Sequence, residues 1–179
     1  TTPTHSQKAP FLSNLSCFYK WDYSEIEGYD NLLNPKGAIL ISEGRASDIY
    51  DTKKTFFLTQ GSTTGILAAM KAVLNFGDKV LVARNCHKSV YSGLVLTGVN
   101  VDWFMPDTKS EMCSKWGIMG KINPEELKDT FKLNQYKAFI MTSPTYEGIV
   151  SDIAEISRIC KEYGVLLIVD EAHGALYNF

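Results

Sequence analysis

Residues 165–174 read VLLIVDEAHG, a run of five apolar residues followed by an acidic one. A continuous apolar run of this kind is typical of a strand in a parallel sheet that helices cover on both faces. Asp170, which ends the run, is costly to bury unless it meets a cation or hydrogen-bond donors. The stretch therefore predicts a buried parallel strand with a candidate site at its carboxyl end.

The preceding chain repeats this pattern of strands and helices. Short apolar runs at residues 79–83, 99–104 and 137–141 alternate with segments of helical periodicity. Such alternation is the signature of βαβ units. We expect an α/β fold in which a mainly parallel sheet lies between helices, in a three-layer αβα arrangement.

Local signals predict where the helices begin and end. Asn123 and Asp152 are expected to be N-caps, each followed three residues later by Glu. Gly77 is expected to end one helix, and the next is expected to begin near Ser89. That second helix should bury three aliphatic residues, which are Val90, Leu94 and Val95.

The chain divides in sequence character near residue 54. Residues 1–54 are expected to form an N-terminal arm or lead-in segment, with a short helix near residues 38–49. Residues 55–179 are expected to form part of a larger α/β domain, beginning with a β-rich run at 55–59 and including a surface excursion at 105–121. The first residues lack an initiator Met and a signal-peptide pattern, so we expect the chain to start within a longer protein.

Composition argues against several classes of partner and site. The formal net charge is −2 and 45% of residues are apolar, which does not favour nucleic-acid binding. No apolar run approaches the length that spans a membrane. Four irregularly spaced cysteines and three dispersed histidines suggest neither a disulfide framework nor a metal site. We expect reduced thiols and a cytoplasmic protein.

Three polar clusters fall near the carboxyl ends of predicted strands, where ligands bind in open α/β sheets. Gly61, Ser62 and Thr63 combine free backbone N–H groups with two hydroxyls at a helix start, which suits a phosphate, although Ser or Thr there is often only an N-cap. His87 offers a flat ring or, alternatively, a helix cap. Asp170 could instead ligate Mg²⁺, as in a Walker B strand, or cap a helix.

Together the clusters describe one ligand with a phosphate, an aromatic ring and a basic ring nitrogen. This is the composition of pyridoxal 5′-phosphate (PLP), whose protonated ring nitrogen pairs with a carboxylate and lets the ring withdraw electrons from a carbanion. The sequence therefore predicts PLP as the cofactor.

The same stretches resemble the major domain of the Orn/Lys/Arg decarboxylase family, a PLP fold-type-I group that is similar to aspartate aminotransferase. The resemblance covers roughly residues 20–176, and the matching stretches occur in family order. They are DYSEI (22–26) with DNL (30–32), TFFL (55–58) with GSTTG (61–65), GDKVLV (77–82) with RNCHKS (84–89), TSPTYEG (142–148) and VDEAHGA (169–175).

The resemblance implies a role for each candidate residue. Ser62 and Thr63, next to Gly61, would bind the phosphate. His87 would stack on one face of the PLP ring and Ala172 would pack on the other. Asp170 would pair with the ring nitrogen, and His173 would lie near the reacting carbon.

The resemblance also implies what the parent protein does. It would decarboxylate lysine, arginine or ornithine to the amine and CO₂, a step of polyamine biosynthesis, as a homodimer or higher homo-oligomer. His5 stands in a start that departs from the family pattern, so no role is assigned to it. The family's Schiff-base lysine and its C-terminal small domain lie beyond Phe179, so this chain alone is expected to be inactive.

Two alternatives stay open. The first is another fold-type-I reaction, such as that of an aminotransferase or lyase, because those enzymes share the carboxylate at the ring nitrogen. The second is a non-catalytic truncated homologue that binds PLP or a sister subunit.

Overall fold

The computed structural model describes residues 28–176, and the chain divides into two units, Thr1–Thr59 and Gln60–Phe179. The predictions for DYSEI at 22–26, for His5 and for Cys17 lie outside the described residues. The division expected at residue 54 stays a prediction. Within residues 28–176, no helix has both the length and the apolar character needed to cross a bilayer.

The first unit contains helix α1, Ala38–Ile49, which confirms the helix expected there. At the start of α1, the Asp30 carboxylate accepts hydrogen bonds from the backbone N–H groups of Lys36, Gly37 and Ile39 at 2.8–2.9 Å. These bonds, with that from Lys36 the largest cause, lower the pKa of Asp30 to about 2. A single side chain therefore organises the turn that leads into α1.

The run at residues 55–59 was expected to be β-rich but forms no strand. The buried Glu43 of α1 accepts the Phe57 N–H at 3.0 Å. The backbone donor in the middle of the run is therefore bonded to a side chain of the same unit, and not to a neighbouring strand.

The second unit is built on four parallel strands in the order β2-β1-β3-β4. Their bounds are Lys79–Ala83 (β1), Asn100–Phe104 (β2), Ala138–Thr142 (β3) and Leu166–Asp170 (β4). All four carboxyl ends therefore lie along one edge of the sheet. The helices are α2 (Gly61–Val73), α3 (Lys88–Thr97), α4 (Glu111–Trp116), α5 (Pro124–Leu133) and α6 (Ile153–Glu162).

The strands present alternate side chains to two separate layers of helices. Val80, Val82 and Ile140 pack with α2 and α3 on one face. Leu81 and Phe139 pack with α5 and α6 on the opposite face. This arrangement confirms the expected three-layer αβα fold around a parallel sheet.

Local predictions were confirmed at some positions and wrong at others. Asn123 and Asp152 cap α5 and α6 through their side chains, as expected. Val95 was predicted to be buried but is 85% exposed, because only the Val90 and Leu94 side of α3 faces the sheet. Gly77 does not end α2, which stops at Val73; it occupies the following turn with φ +84°.

Two segments differ in burial from their expected environments. The excursion at residues 105–121 contains the short helix α4 and buries the Cys113 side chain, so it is anchored to the core. In the described part of the chain, β4 pairs only with β3 and stands at the edge of the sheet. Leu166 on this strand, which was expected to be buried, is exposed.

Candidate functional site

The N-termini of α2 and α3 lie at the same edge of the sheet as the carboxyl ends of the strands. A Cβ added at Gly93 of α3 would lie 2.3 Å from Met70 Sδ of α2, and one added at Gly98 would lie 2.5 Å from the Phe76 ring. Met70, in the last turn of α2, thus neighbours the middle of α3, and Phe76, which follows α2, neighbours the end of α3. The two helices therefore run in the same direction, which brings Gly61 to the edge where His87 lies.

Asp170 is the last residue of β4 and is 5% exposed. It shares a strand face with Ile168, which packs against the α2 and α3 layer, so its side chain points toward that layer. Its Oδ1 accepts the Ala172 N–H at 3.1 Å. The carboxylate is thus oriented toward the layer whose helices begin at the other two clusters.

Cys86 lies in the loop after β1, and its thiol interacts with the charge of Asp170 at the end of β4. Burial raises the pKa of this thiol to about 11, and the charge of Asp170 adds to the increase. Cys86 and Ile168 of β4 also pack against the same hydrophobic cluster, so the loop after β1 lies near β4. The raised pKa keeps the Cys86 thiol protonated at neutral pH.

His87 is the N-cap of α3, as one of its alternative interpretations predicted. Its Nδ1 accepts the Ser89 N–H at 3.2 Å and lies 2.9 Å from Ser89 Oγ. Because Nδ1 is an acceptor, the neutral ring carries its proton on Nε2. The cap fixes one edge of the ring, while the residue as a whole remains exposed.

Gly61, Ser62 and Thr63 form the first turn of α2 and are exposed. The cap position belongs to Gln60, whose side chain makes no capping hydrogen bond. Ser62 and Thr63 therefore do not act as the N-cap, the alternative considered for them. The first N–H groups of a helix need partners from outside it, and the helix dipole favours an anion there.

Ala172 and His173 lie in the loop after β4 and are exposed. The His173 ring meets the Tyr146 ring edge-on, with centroids 6.0 Å apart. A Cβ added at Gly174 would lie 2.5 Å from Pro144 Cδ, so the loops after β3 and β4 approach closely. This contact supports the segment that carries Ala172 and His173.

A family model described as Orn/Lys/Arg decarboxylase, major domain, matches residues 13–179. The chain belongs to this family. YaaO of Bacillus subtilis (strain 168), which carries the description "uncharacterized protein", is 37% identical over 155 residues, covering 86% of this chain and 32% of YaaO. An arginine decarboxylase of Bacillus cereus is 32% identical over 159 residues, covering 88% of this chain and 34% of that protein.

This decarboxylase-family chain also resembles solved PLP fold-type-I structures. Serine palmitoyltransferase of Sphingomonas wittichii matches with a TM-score of 0.59 and 17% identity over 80% of this chain and 33% of that one. A structure of SPT with its PLP internal aldimine matches with a TM-score of 0.57 and 17% identity over the same shares. The likeness shows the fold. The chain spans about a third of the length of the curated relatives named above.

Three further residues of this family member lie at the site and were not among the residues predicted from the sequence. Tyr146 contacts His173, while Asn85 and Thr142 each bury a side-chain oxygen without a partner. Thr142 ends an apolar strand where the TSPTYEG loop begins, as Asp170 ends another. A polar residue at the end of an otherwise apolar strand was the signal available for Thr142.

Proposed function

We propose that the protein carrying this chain is a PLP-dependent decarboxylase of a basic amino acid, and that this chain supplies part of its cofactor site. The observation that carries the proposal is the buried Asp170 carboxylate, which faces the α2 and α3 layer at the edge where both helices begin. The family, and relatives named arginine, lysine and ornithine decarboxylase, support the substrate class.

The donor set fits PLP in chemical type. The uncapped first turn of α2, with the hydroxyls of Ser62 and Thr63, provides donors for a phosphate. Gly61 has φ +75°, a backbone conformation that glycine adopts without strain. The buried Asp170 provides a negative charge for a protonated ring nitrogen, which would compensate its burial.

The remaining residues act on the ring and on the substrate in this proposal. His87, held at Nδ1 by Ser89, presents its flat ring to one face of the cofactor. Ala172 packs on the other face, while its backbone N–H keeps Asp170 oriented. His173, supported by the Tyr146 ring, lies toward the reacting carbon.

The overall reaction breaks the bond between Cα and the carboxylate, releases CO₂ and places a proton on Cα. When bound, PLP supplies the electron sink that accepts the electron pair left by CO₂. Asp170 holds the proton on the ring nitrogen, which makes that sink effective. His173 is the group of this chain positioned to move a proton at Cα.

The proposal extends to the whole protein. The lysine that binds PLP covalently lies outside residues 1–179, and the protein is a cytoplasmic homodimer or higher homo-oligomer. It contributes to polyamine biosynthesis, since lysine and ornithine give diamines and arginine gives a guanidino amine.

The test is CO₂ release by the full-length protein, supplied with PLP, from lysine, arginine and ornithine in turn. We expect release from at least one of them, together with the matching amine. Formation of an oxo acid without CO₂ would instead identify an aminotransferase. Bound PLP with no turnover of any of the three would favour the non-catalytic homologue.

A further inference from the structure

Two buried oxygens at the site edge have no hydrogen-bond partner. Within residues 28–176, Asn85 Oδ1 and Thr142 Oγ1 are the buried side-chain polar atoms in this condition. Thr142 ends β3 and Asn85 follows the end of β1, so both lie at the carboxyl edge of the sheet. Because buried polar groups are nearly always bonded and leaving one unpaired is costly, their shared location calls for a physical reason.

Thr142 is the in-register neighbour of Asp170 on the adjacent strand. Residues paired across parallel strands point to the same face, and neighbouring strands lie about 4.8 Å apart. Thr142 and Asp170 are 8% and 5% exposed, so water has little access to either side chain as a hydrogen-bond partner. The Ser143 N–H donates to the Asp170 carbonyl oxygen at 3.1 Å, which extends the pairing of the two strands beyond Thr142.

Hydrogen-bond chemistry distinguishes Thr142 from Asn85. An ionised carboxylate only accepts hydrogen bonds, and so does the amide oxygen of Asn85. The Thr142 hydroxyl can donate. Of the two unpartnered atoms, only Thr142 Oγ1 can therefore bond directly to Asp170.

We propose that Thr142 is a positioning residue for Asp170, whose carboxylate receives a hydrogen bond from the Thr142 hydroxyl when it pairs with the PLP ring nitrogen. This role rests on the proposed function. The Ala172 N–H donates to Oδ1 of the carboxylate from the loop after β4. A second donor from β3 fixes the plane of the carboxylate and favours its charged form.

The test uses three variants of the full-length protein. Thr142→Val removes the hydroxyl and keeps the side-chain shape, while Thr142→Ser keeps the hydroxyl. Thr97→Val is the matched control, because Thr97 is 2% exposed and donates to the Gly93 carbonyl oxygen at 2.7 Å, near the opposite end of α3. The readouts are the dissociation rate of PLP and the ¹⁵N resonance of the ring nitrogen in ¹⁵N-labelled PLP.

We expect Thr142→Val to release PLP about tenfold faster, because it loses one hydrogen bond to a charged group. Its ring-nitrogen resonance should move toward the unprotonated position. Thr142→Ser should stay within about twofold of the wild type, a margin well under the loss of one such bond. Thr97→Val should lower thermal stability and leave both cofactor readouts unchanged.

The outcomes separate this role from the proposed function. Wild-type protein that binds no PLP would overturn both. Wild-type protein that binds PLP, with Thr142→Val matching it in dissociation and ¹⁵N resonance, would overturn only the role of Thr142. If Thr142→Val does not fold, Thr142→Ala is measured in its place against the same controls.

Discussion

Replacing Asp170 by Asn in the full-length protein removes one buried negative charge with little change in shape. The Asn Oδ1 can still accept the Ala172 N–H, which lies 3.1 Å from the present Oδ1. The free energy of unfolding should therefore change by less than about 1 kcal/mol, the net worth of a typical hydrogen bond. The fold and the phosphate-binding turn should persist.

Catalysis should respond much more strongly than stability. Asp170 is 5% exposed, so its pairing with a protonated ring nitrogen would be largely shielded from water. Losing a buried charge-assisted pair costs about 2–5 kcal/mol, and a tenfold change corresponds to about 1.4 kcal/mol. Turnover should fall by about 30- to 4,000-fold.

The assay combines CO₂ release at saturating amino acid, bound PLP by absorbance, and thermal unfolding. Asp152→Asn is the control, because it removes the same charge at the exposed N-cap of α6, where Asn caps as well as Asp. It should leave turnover unchanged. Turnover of Asp170→Asn within about threefold of wild type, with PLP fully bound, would refute a role at the ring nitrogen, since that loss is below the about 30-fold minimum.

Substitutions at two positions and one pH titration test other parts of the structure. His87→Ala should release PLP about fivefold faster through the loss of about 1 kcal/mol of stacking, and it should also lose the α3 cap. His87→Asn restores the cap without the ring. Unchanged PLP dissociation in both variants would show that His87 acts only as a helix cap. Gly174→Ala should destabilise the protein by about 1–3 kcal/mol and weaken PLP binding, because its Cβ meets Pro144. Its thermal unfolding is compared with that of the wild type and of Gly44→Ala, whose Cβ meets nothing within 4 Å and which should stabilise helix α1 by about 0.5–1 kcal/mol. An unfolding temperature of Gly174→Ala equal to that of the wild type would contradict the close approach. The pKa of Asp30 in the folded protein is lowered from 3.8 to about 2, so its contribution to the stability of the first unit is present above about pH 4 and is lost as the pH falls through about 2. The measurement is an NMR titration of the Ile39 amide. A midpoint near pH 3.8 would show that the carboxylate is not held as described.

The strongest sequence signals were those in which local chemistry and the final environment coincide. Asn123 and Asp152 cap helices because their side chains reach backbone donors only two or three residues away, so no distant contact is needed. The alternation of apolar runs with helical periodicity predicted the αβα layers, since a parallel sheet covered on both faces requires it. The acidic residue that follows VLLIV likewise predicted the site edge, because a carboxylate at the end of a buried strand needs a cation or donors.

Tertiary structure decided the features that depend on contacts between residues far apart in the sequence. The run at residues 55–59 has β-rich composition, but Glu43, 14 positions before Phe57, takes its backbone donor. Val95 fits an apolar helix, yet the approach of α2 to α3 at Gly93 selects the buried face.

The site itself shows the same division between local and distant determinants. Asp170, His87 and Gly61 could each be identified as candidates from local sequence, because each follows or begins a recognisable element. Their placement at one edge follows from the parallel direction of α2 and α3 and from the pleat that turns Asp170 toward them. The pairing of Thr142 with Asp170 depends on strand register between segments 28 positions apart, which no local pattern specifies.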